Sequence, residues 1–328
     1  MMRRTIIGVL AIGLPVVAGC GSQPGVTGAT ATSQPASPTG PLVLAQFDRG
    51  IGAIAVGSDH PLWSDPDAAA ALDGSAVFSV RHAQAGDVLA RLDPDTGTAI
   101  ASWPRPVAMK SISAVSPGGR WVALTDREPD YAAPRAATRL VVFDAVNGEA
   151  ARRLELTGDV RPEAFSVDGQ RVFVLDYRGD HYRVQTIELA TGERYDTSSR
   201  DKSLEREDMH GTTVRGVLNA DHTLLATLYR NPGDAEEPAF VHILDLENGW
   251  AYCADLTAPF GTGPEGSDRI ELTPADTVIV TATHAGRIAE IHIDEVHEPS
   301  DVPVTVEYRN GTVAPTEPGP GQVIASLS

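Results

Sequence analysis

Cysteine is almost missing from this sequence: Cys20 and Cys253 are the only two in 328 residues. A disulfide-stapled fold is thereby excluded, since such frameworks need several cysteines at recurring spacings. Lysine is almost missing as well. Only Lys110 and Lys202 occur among 26 basic residues, against 44 acidic ones. The resulting net charge of −18 argues against nucleic-acid partners and against charge-driven adhesion to anionic lipid. The uncharged, mostly apolar run at residues 5–19 is too short for a comfortable membrane-spanning helix. Catalytic signatures are missing too: there is no Gly-x-Ser-x-Gly elbow, no His-Glu-x-x-His and no Gly-Lys-Ser/Thr loop. A Gly-x-Gly-x-x-Gly match, Gly261-Thr262-Gly263-Pro264-Glu265-Gly266, contains a proline and precedes a strand-like Arg269-Ile270-Glu271-Leu272 where a dinucleotide site needs a helix, so it reads as a loop. The nine histidines are scattered, and Asp93-x-Asp95 lacks the further oxygen ligands of a calcium loop. No catalytic residue, cofactor site or metal site is therefore predicted.

What is present begins with the leader. Arg3 and Arg4 precede the apolar run, which ends in Val17-Ala18-Gly19-Cys20. That order matches a signal peptide, and the last four residues resemble the lipobox of bacterial lipoproteins. The resemblance implies cleavage before Cys20, a diacylglycerol and palmitate-type acylation there, and residence on the extracytoplasmic face of the cell membrane. With Cys20 lipidated, Cys253 stands alone and reads as a small buried hydrophobe. Residues 21–40 carry no charge and are rich in Gly, Ser, Thr and Pro. Such a segment cannot bury enough surface to order itself, and reads as a tether reaching about 25 Å. The expected organisation is residues 1–19 as signal peptide, 20–40 as lipidated cysteine and tether, and 41–328 as one folded domain.

Internal repetition identifies that domain. Residues 110–156 read as four short strands, SISAVS, RWVALTD, LVVFD and ARRLEL, separated by tight turns. The first turn recurs at Leu72-Asp73-Gly74-Ser75, Ser116-Pro117-Gly118-Gly119, Ser166-Val167-Asp168-Gly169, Asn219-Ala220-Asp221-His222 and Thr273-Pro274-Ala275-Asp276. The second recurs as Asp93 to Gly97, Asp144 to Gly148, Glu188 to Gly192 and Asp245 to Gly249, with a looser version expected at 294–301. A four-stranded unit repeating at about 50 residues marks a β-propeller blade. Five units are nearly complete. Residues 313–328 match the first and second strands of a blade, and residues 42–56 match a third and fourth. The expected fold is all-β, a propeller of six four-stranded blades closed by pairing the two chain ends. Seven blades remain the alternative if 196–211 or 296–309 hides strands.

Residues 161–173, RPEAFSVDGQRVF, resemble the repeat of TolB-like and WD-repeat-like propellers: an aromatic residue, Ser, any residue, Asp-Gly, then a β-run. The strict Trp-Asp dipeptide is missing. This resemblance implies fold and leaves chemistry open.

In a propeller the first strand of each blade lines the central channel. Residues just before that strand ring one mouth, and this zone holds Asp65 or Asp67 in the first unit, then Lys110, Arg161, Arg215 and Arg269. These four bases are the candidate ligand-binding residues, forming a positive channel mouth in an acidic protein. Pairing with Glu163, Glu271 and the aspartates is the alternative use of the same charges. Two functions follow. One is a lipid-anchored, non-catalytic binding or scaffold module, expected as a monomer, with a protein or small anionic ligand as partner. The other resembles six-bladed lactonases and esterases and would need Glu163, Glu271, Asp67 and Asn310 to converge on a channel-bound divalent cation.

Overall fold

A computed structural model of the chain describes residues 40–326 except 48–49, 59, 82–86, 107–108, 127–134, 180, 200–208, 232, 265, 294–303 and 312–321. The first sheet takes β1 (Leu42–Gln46), β2 (Ile51–Ala55) and β3 (Trp63–Asp65). The second is β4 (Ala68–Ala70), β5 (Val77–Arg81), β6 (Val88–Leu92) and β7 (Ala99–Pro104). The third is β8 (Ser111–Val115), β9 (Trp121–Thr125), β10 (Ala137–Asp144) and β11 (Glu149–Thr157). The fourth is β12 (Asp159–Phe165), β13 (Arg171–Tyr177), β14 (His181–Glu188) and β15 (Arg194–Asp196). Two short strands follow, β16 (Ser198–Ser199) and β17 (Met209–His210). The fifth sheet is β18 (Thr212–Leu218), β19 (Leu224–Arg230), β20 (Ala239–Asp245) and β21 (Trp250–Leu256). The sixth is β22 (Asp268–Leu272), β23 (Thr277–Ala282), β24 (Arg287–Ile293) and β25 (Val304–Asn310). Last, β26 (Gln322–Ser326) pairs antiparallel with β1, Val43 opposite Ser326 and Gln46 opposite Gln322.

The expected pairing of the chain ends is thus present, but its division differs. The N-terminus supplies three strands of the first sheet and the C-terminus one, in the order β26-β1-β2-β3. The missed strand, Trp63-Ser64-Asp65, lies between Pro61 and Pro66 and is too short to show alternation. The other strand expected at the C-terminus and the looser turn at 294–301 lie outside the described residues. The described parts of the segments weighed for a seventh unit join existing sheets: β16 runs parallel to β21, β17 pairs with β14, and β25 is the outer strand of the sixth sheet; residues 200–208 and 296–303 lie outside the described residues.

Local chemistry makes the hairpins. Asp144 Oδ1 accepts the backbone N–H groups of Val146 at 2.9 Å and Asn147 at 3.2 Å, and Asp93 and Asp245 repeat the arrangement. Gly148 then turns the chain at φ +74°, a conformation glycine adopts without Cβ strain. A Cβ on Gly148 would stand 2.8 Å from the Trp103 ring, and one on Gly97 would stand 2.6 Å from Trp63. Each of these tryptophans therefore seats on the hairpin glycine of the following sheet.

The sheets pack face to face in chain order. Phe78, Val80 and Leu89 of the second sheet share a buried cluster with Val122, Leu124 and Phe143 of the third. Ala123 and Val142, on the opposite face of the third sheet, join Phe165, Val172 and Val174 of the fourth. Similar clusters join the first sheet to the second, the fourth to the fifth and the fifth to the sixth. Central strands are thus buried on both faces, so RVFVL and WVAL are nearly continuous apolar runs. The arrangement is that of a β-propeller, with the first strand of each unit innermost.

Candidate functional site

Among the described residues, the innermost strands β4, β8, β12, β18, β22 and β26 are each paired on one side only. Their free edges face the centre and surround a cavity of about 490 Å³. Its wall draws on five sheets, through Ile324, Ala68 to Leu72, Ile112 and Ser113, Arg215 to Leu218, and Leu272. Among the described residues lining it, Arg215 is the one that carries charge.

The pairing register sorts the four predicted bases. Counting rungs from the first hairpin of each sheet, Arg161 opposite Leu175, Arg215 opposite Leu228 and Arg269 opposite Thr281 all stand on the fourth rung. Arg161 is one residue further from its hairpin than the other two. A bulge at Glu163 takes up that residue and restores the register. Lys110 lies just before β8 and is exposed, while Ser111 holds the equivalent rung opposite Thr125.

The three arginines then part. Arg161 is buried, 2.7 Å from Asp159 Oδ2 and with its guanidinium 3.9 Å from the centre of the Tyr177 ring. Arg135 donates to the other Asp159 oxygen at 2.6 Å. Burial pushes the Asp159 carboxyl up, but the hydrogen bonds and charges of Arg161 and Arg135 outweigh it and hold the group below the usual carboxylate range. Arg161 is therefore committed to an ion pair with Asp159 of its own strand, which Arg135 ties to the third sheet; this partner is none of the acids expected for it. Arg269 is half-buried, and Arg215 borders the cavity.

The oxygen ligands required by the hydrolase reading are not brought together. Asp67 is exposed before β4, and Asn310 ends the outer strand β25, where it accepts from Arg287 at 2.7 Å. Glu271 is exposed on β22. Glu163 is turned by its bulge into the interface with the fifth sheet, where Tyr229 and Thr227 donate to it at 3.2 and 3.3 Å. Asp65 is on the outer strand β3 and accepts from Ser79 of the second sheet at 2.7 Å, away from the channel. Among the described residues, no three His, Cys, Asp or Glu side chains group as a metal site.

Sequence reasoning missed the buried polar group around Glu163. His242 Nδ1 is 4.0 Å from Glu163 Oε1, and neither ring nitrogen of His242 makes a hydrogen bond. Burial pushes the Glu163 carboxyl up to about 7 against the hydrogen bonds from Tyr229 and Thr227, and pushes the His242 ring down to about 4. The available signal was His242 inside the apolar run AFVHILD. Two contacts across the ring were missed as well. His222 Nε2 of the fifth sheet lies 3.7 Å from Asp73 Oδ2 of the second. A Cβ on Gly216 would stand 3.7 Å from Leu72 Cδ1, so Leu72 of the second sheet reaches β18.

No model of a protein family matches the chain, and no curated protein matches it. It is similar to several solved structures. Hydrazine synthase of Kuenenia stuttgartiensis is 15% identical, with 80% of this chain and 79% of that one covered and a TM-score of 0.44. TolB of Acinetobacter baumannii is 16% identical over 75% of this chain and 62% of that one, with a TM-score of 0.40. The β-propeller domain of Cps50 (Swd1) from Myceliophteria thermophila is 15% identical over 74% and 69%, with a TM-score of 0.43. These are likenesses of fold, and nothing about ligand or chemistry passes from them to this chain.

Proposed function

We propose that the protein is a six-bladed propeller, anchored through an acylated Cys20 to the outer face of the cell membrane, that binds a small anionic ligand in its central channel without transforming it. The observation that carries this reading is the central cavity of about 490 Å³ with Arg215 on its wall. A cation in a concave site with low-dielectric walls attracts an anion more strongly than the same cation in open water. Arg269 on the same rung and Lys110 beyond the rim add to the field. Arg161, which does not line the cavity, contributes least. Binding is preferred to hydrolysis because Glu163, Glu271, Asp67 and Asn310 point to four separate places. The test is calorimetry with inorganic phosphate on wild type and on an Arg215→Ala/Arg269→Ala double variant. Weaker binding by the double variant supports the reading, and equal binding removes it.

A further inference from the structure

The two ends of the cavity differ. At the hairpin end Leu72 reaches across to Gly216, and the His222–Asp73 contact at 3.7 Å lies in the same hairpins. Both contacts join the second sheet to the fifth, which are not neighbours in the stacking order. The floor between them is apolar, with Leu72, Leu218 and Leu272. The other end is bordered by Gln46, Gly50 and Pro66. Gln46 is exposed there. Arg215 lies three strand steps above the first rung, roughly 10 Å at the rise of a β-strand.

The wall between floor and arginine combines small residues, Ala68 to Ala71, Ser113 and Gly216, with Ile112, Val217 and Ile324. Side chains of an innermost strand pack toward the two neighbouring sheets, as Ala68 does in the cluster with Leu44 and Ala71 in that with Val115. What the strands present to the cavity is therefore their unpaired edge, a column of backbone N–H and C=O groups. A ligand that buried these groups against alkyl chain would leave them without hydrogen bonds, an unfavourable exchange for each group. A ligand bearing hydroxyls would satisfy them.

Resting on the binding function above, we infer that the cavity is a one-ended pocket for a compact polyhydroxylated anion, of the sugar-acid or sugar-phosphate kind. Its charged group meets Arg215, its hydroxyls meet the strand edges, and its carbon face rests on the leucine floor. The ligand enters past Gln46 and not past the hairpins. A volume of about 490 Å³ accommodates one or two sugar rings.

The experiment is calorimetry on the full chain in non-ionic detergent with three probes: D-glucuronate, hexanoate and inorganic phosphate. Glucuronate and hexanoate carry the same charge and differ in their hydroxyls. The expected result is glucuronate binding at least tenfold tighter than hexanoate, and weakened at least tenfold by Arg215→Gln. Gln46→Trp, at an exposed position of the open end, weakens it comparably. Val167→Trp, on an exposed hairpin beside His222, leaves it within twofold. Hexanoate binding as tightly as glucuronate overturns the ligand class. Equal loss from Val167→Trp and Gln46→Trp overturns the one-ended pocket. Phosphate binding that depends on Arg215, without any binding of glucuronate, overturns this inference and leaves the binding function standing. No binding of any probe overturns both.

Discussion

The Tyr229 hydroxyl of the fifth sheet donates to Glu163 Oε1 of the fourth at 3.2 Å, within a largely buried apolar interface. Glu163 stands at a β-bulge, and the bulge aims it between the sheets. His242 completes the group, 4.0 Å away. A carboxyl and an imidazole in one apolar interface tie the stability of the fold to pH in opposite senses.

Glu163, raised from 4.5 to about 7, contributes stability that is complete below pH 4.5 and lost as pH rises through 7. His242, lowered from 6.5 to about 4, contributes stability that is complete above pH 6.5 and lost as pH falls through 4. Between pH 4.5 and 6.5 the two slopes cancel. The folded pair holds one proton there, wherever it resides, and the unfolded chain holds one as well. Single variants expose each limb. Glu163→Gln should lose stability relative to wild type as pH falls from 7 to 4.5, and His242→Leu as pH rises from 4 to 6.5. Each loss should approach roughly 3 kcal/mol over its window. Chemical denaturation at a series of pH values measures both. Difference curves that are flat for both variants would show that the pair does not titrate with folding.

Gly148→Ala should destabilise the fold by about 1–3 kcal/mol, the cost of a non-glycine residue held in the left-handed region. Crowding of the Trp103 ring adds to this, so part of the cost should disappear in a Trp103→Leu background. A double-mutant cycle by denaturant unfolding gives the coupling. Strict additivity would show that the ring yields freely.

Removal of residues 322–328 should lower the melting temperature by many degrees or cause aggregation. It strips β26 from β1 and leaves the inner edge of the first sheet open. Ile324 also leaves the cluster formed with Leu44 and Val77. Removal of residues 21–40 should leave the melting temperature nearly unchanged, as expected of a tether. Comparable shifts in the two truncations would contradict closure through β26.

Cys20→Ala should abolish membrane association, leaving the protein unprocessed or released. Fractionation against wild type, followed by immunoblotting, decides this. A variant that still sediments with membranes as wild type does would show that the anchor lies elsewhere.

The repeating unit is legible in the sequence, because hairpins are made by local chemistry. An aspartate that accepts two backbone N–H groups, followed by a glycine at positive φ, acts over five residues and is visible in any window that long. The fourth-rung arginines are legible there too, since their distance from each hairpin is nearly constant. The sequence could not show that Glu163 would bulge and so bring Arg161 onto the rung of Arg215 and Arg269, because a bulge depends on what the neighbouring strand can pair with. Nor could it show that one of the three would be bound to Asp159, another on the cavity wall and the third half-buried. Those fates follow from which sheet stands opposite. The contacts of Leu72 with Gly216 and of Asp73 with His222 lie furthest from what sequence can reveal. They join segments more than a hundred residues apart that share no pairing, and they exist only because stacking the sheets around one centre sets the distance across it.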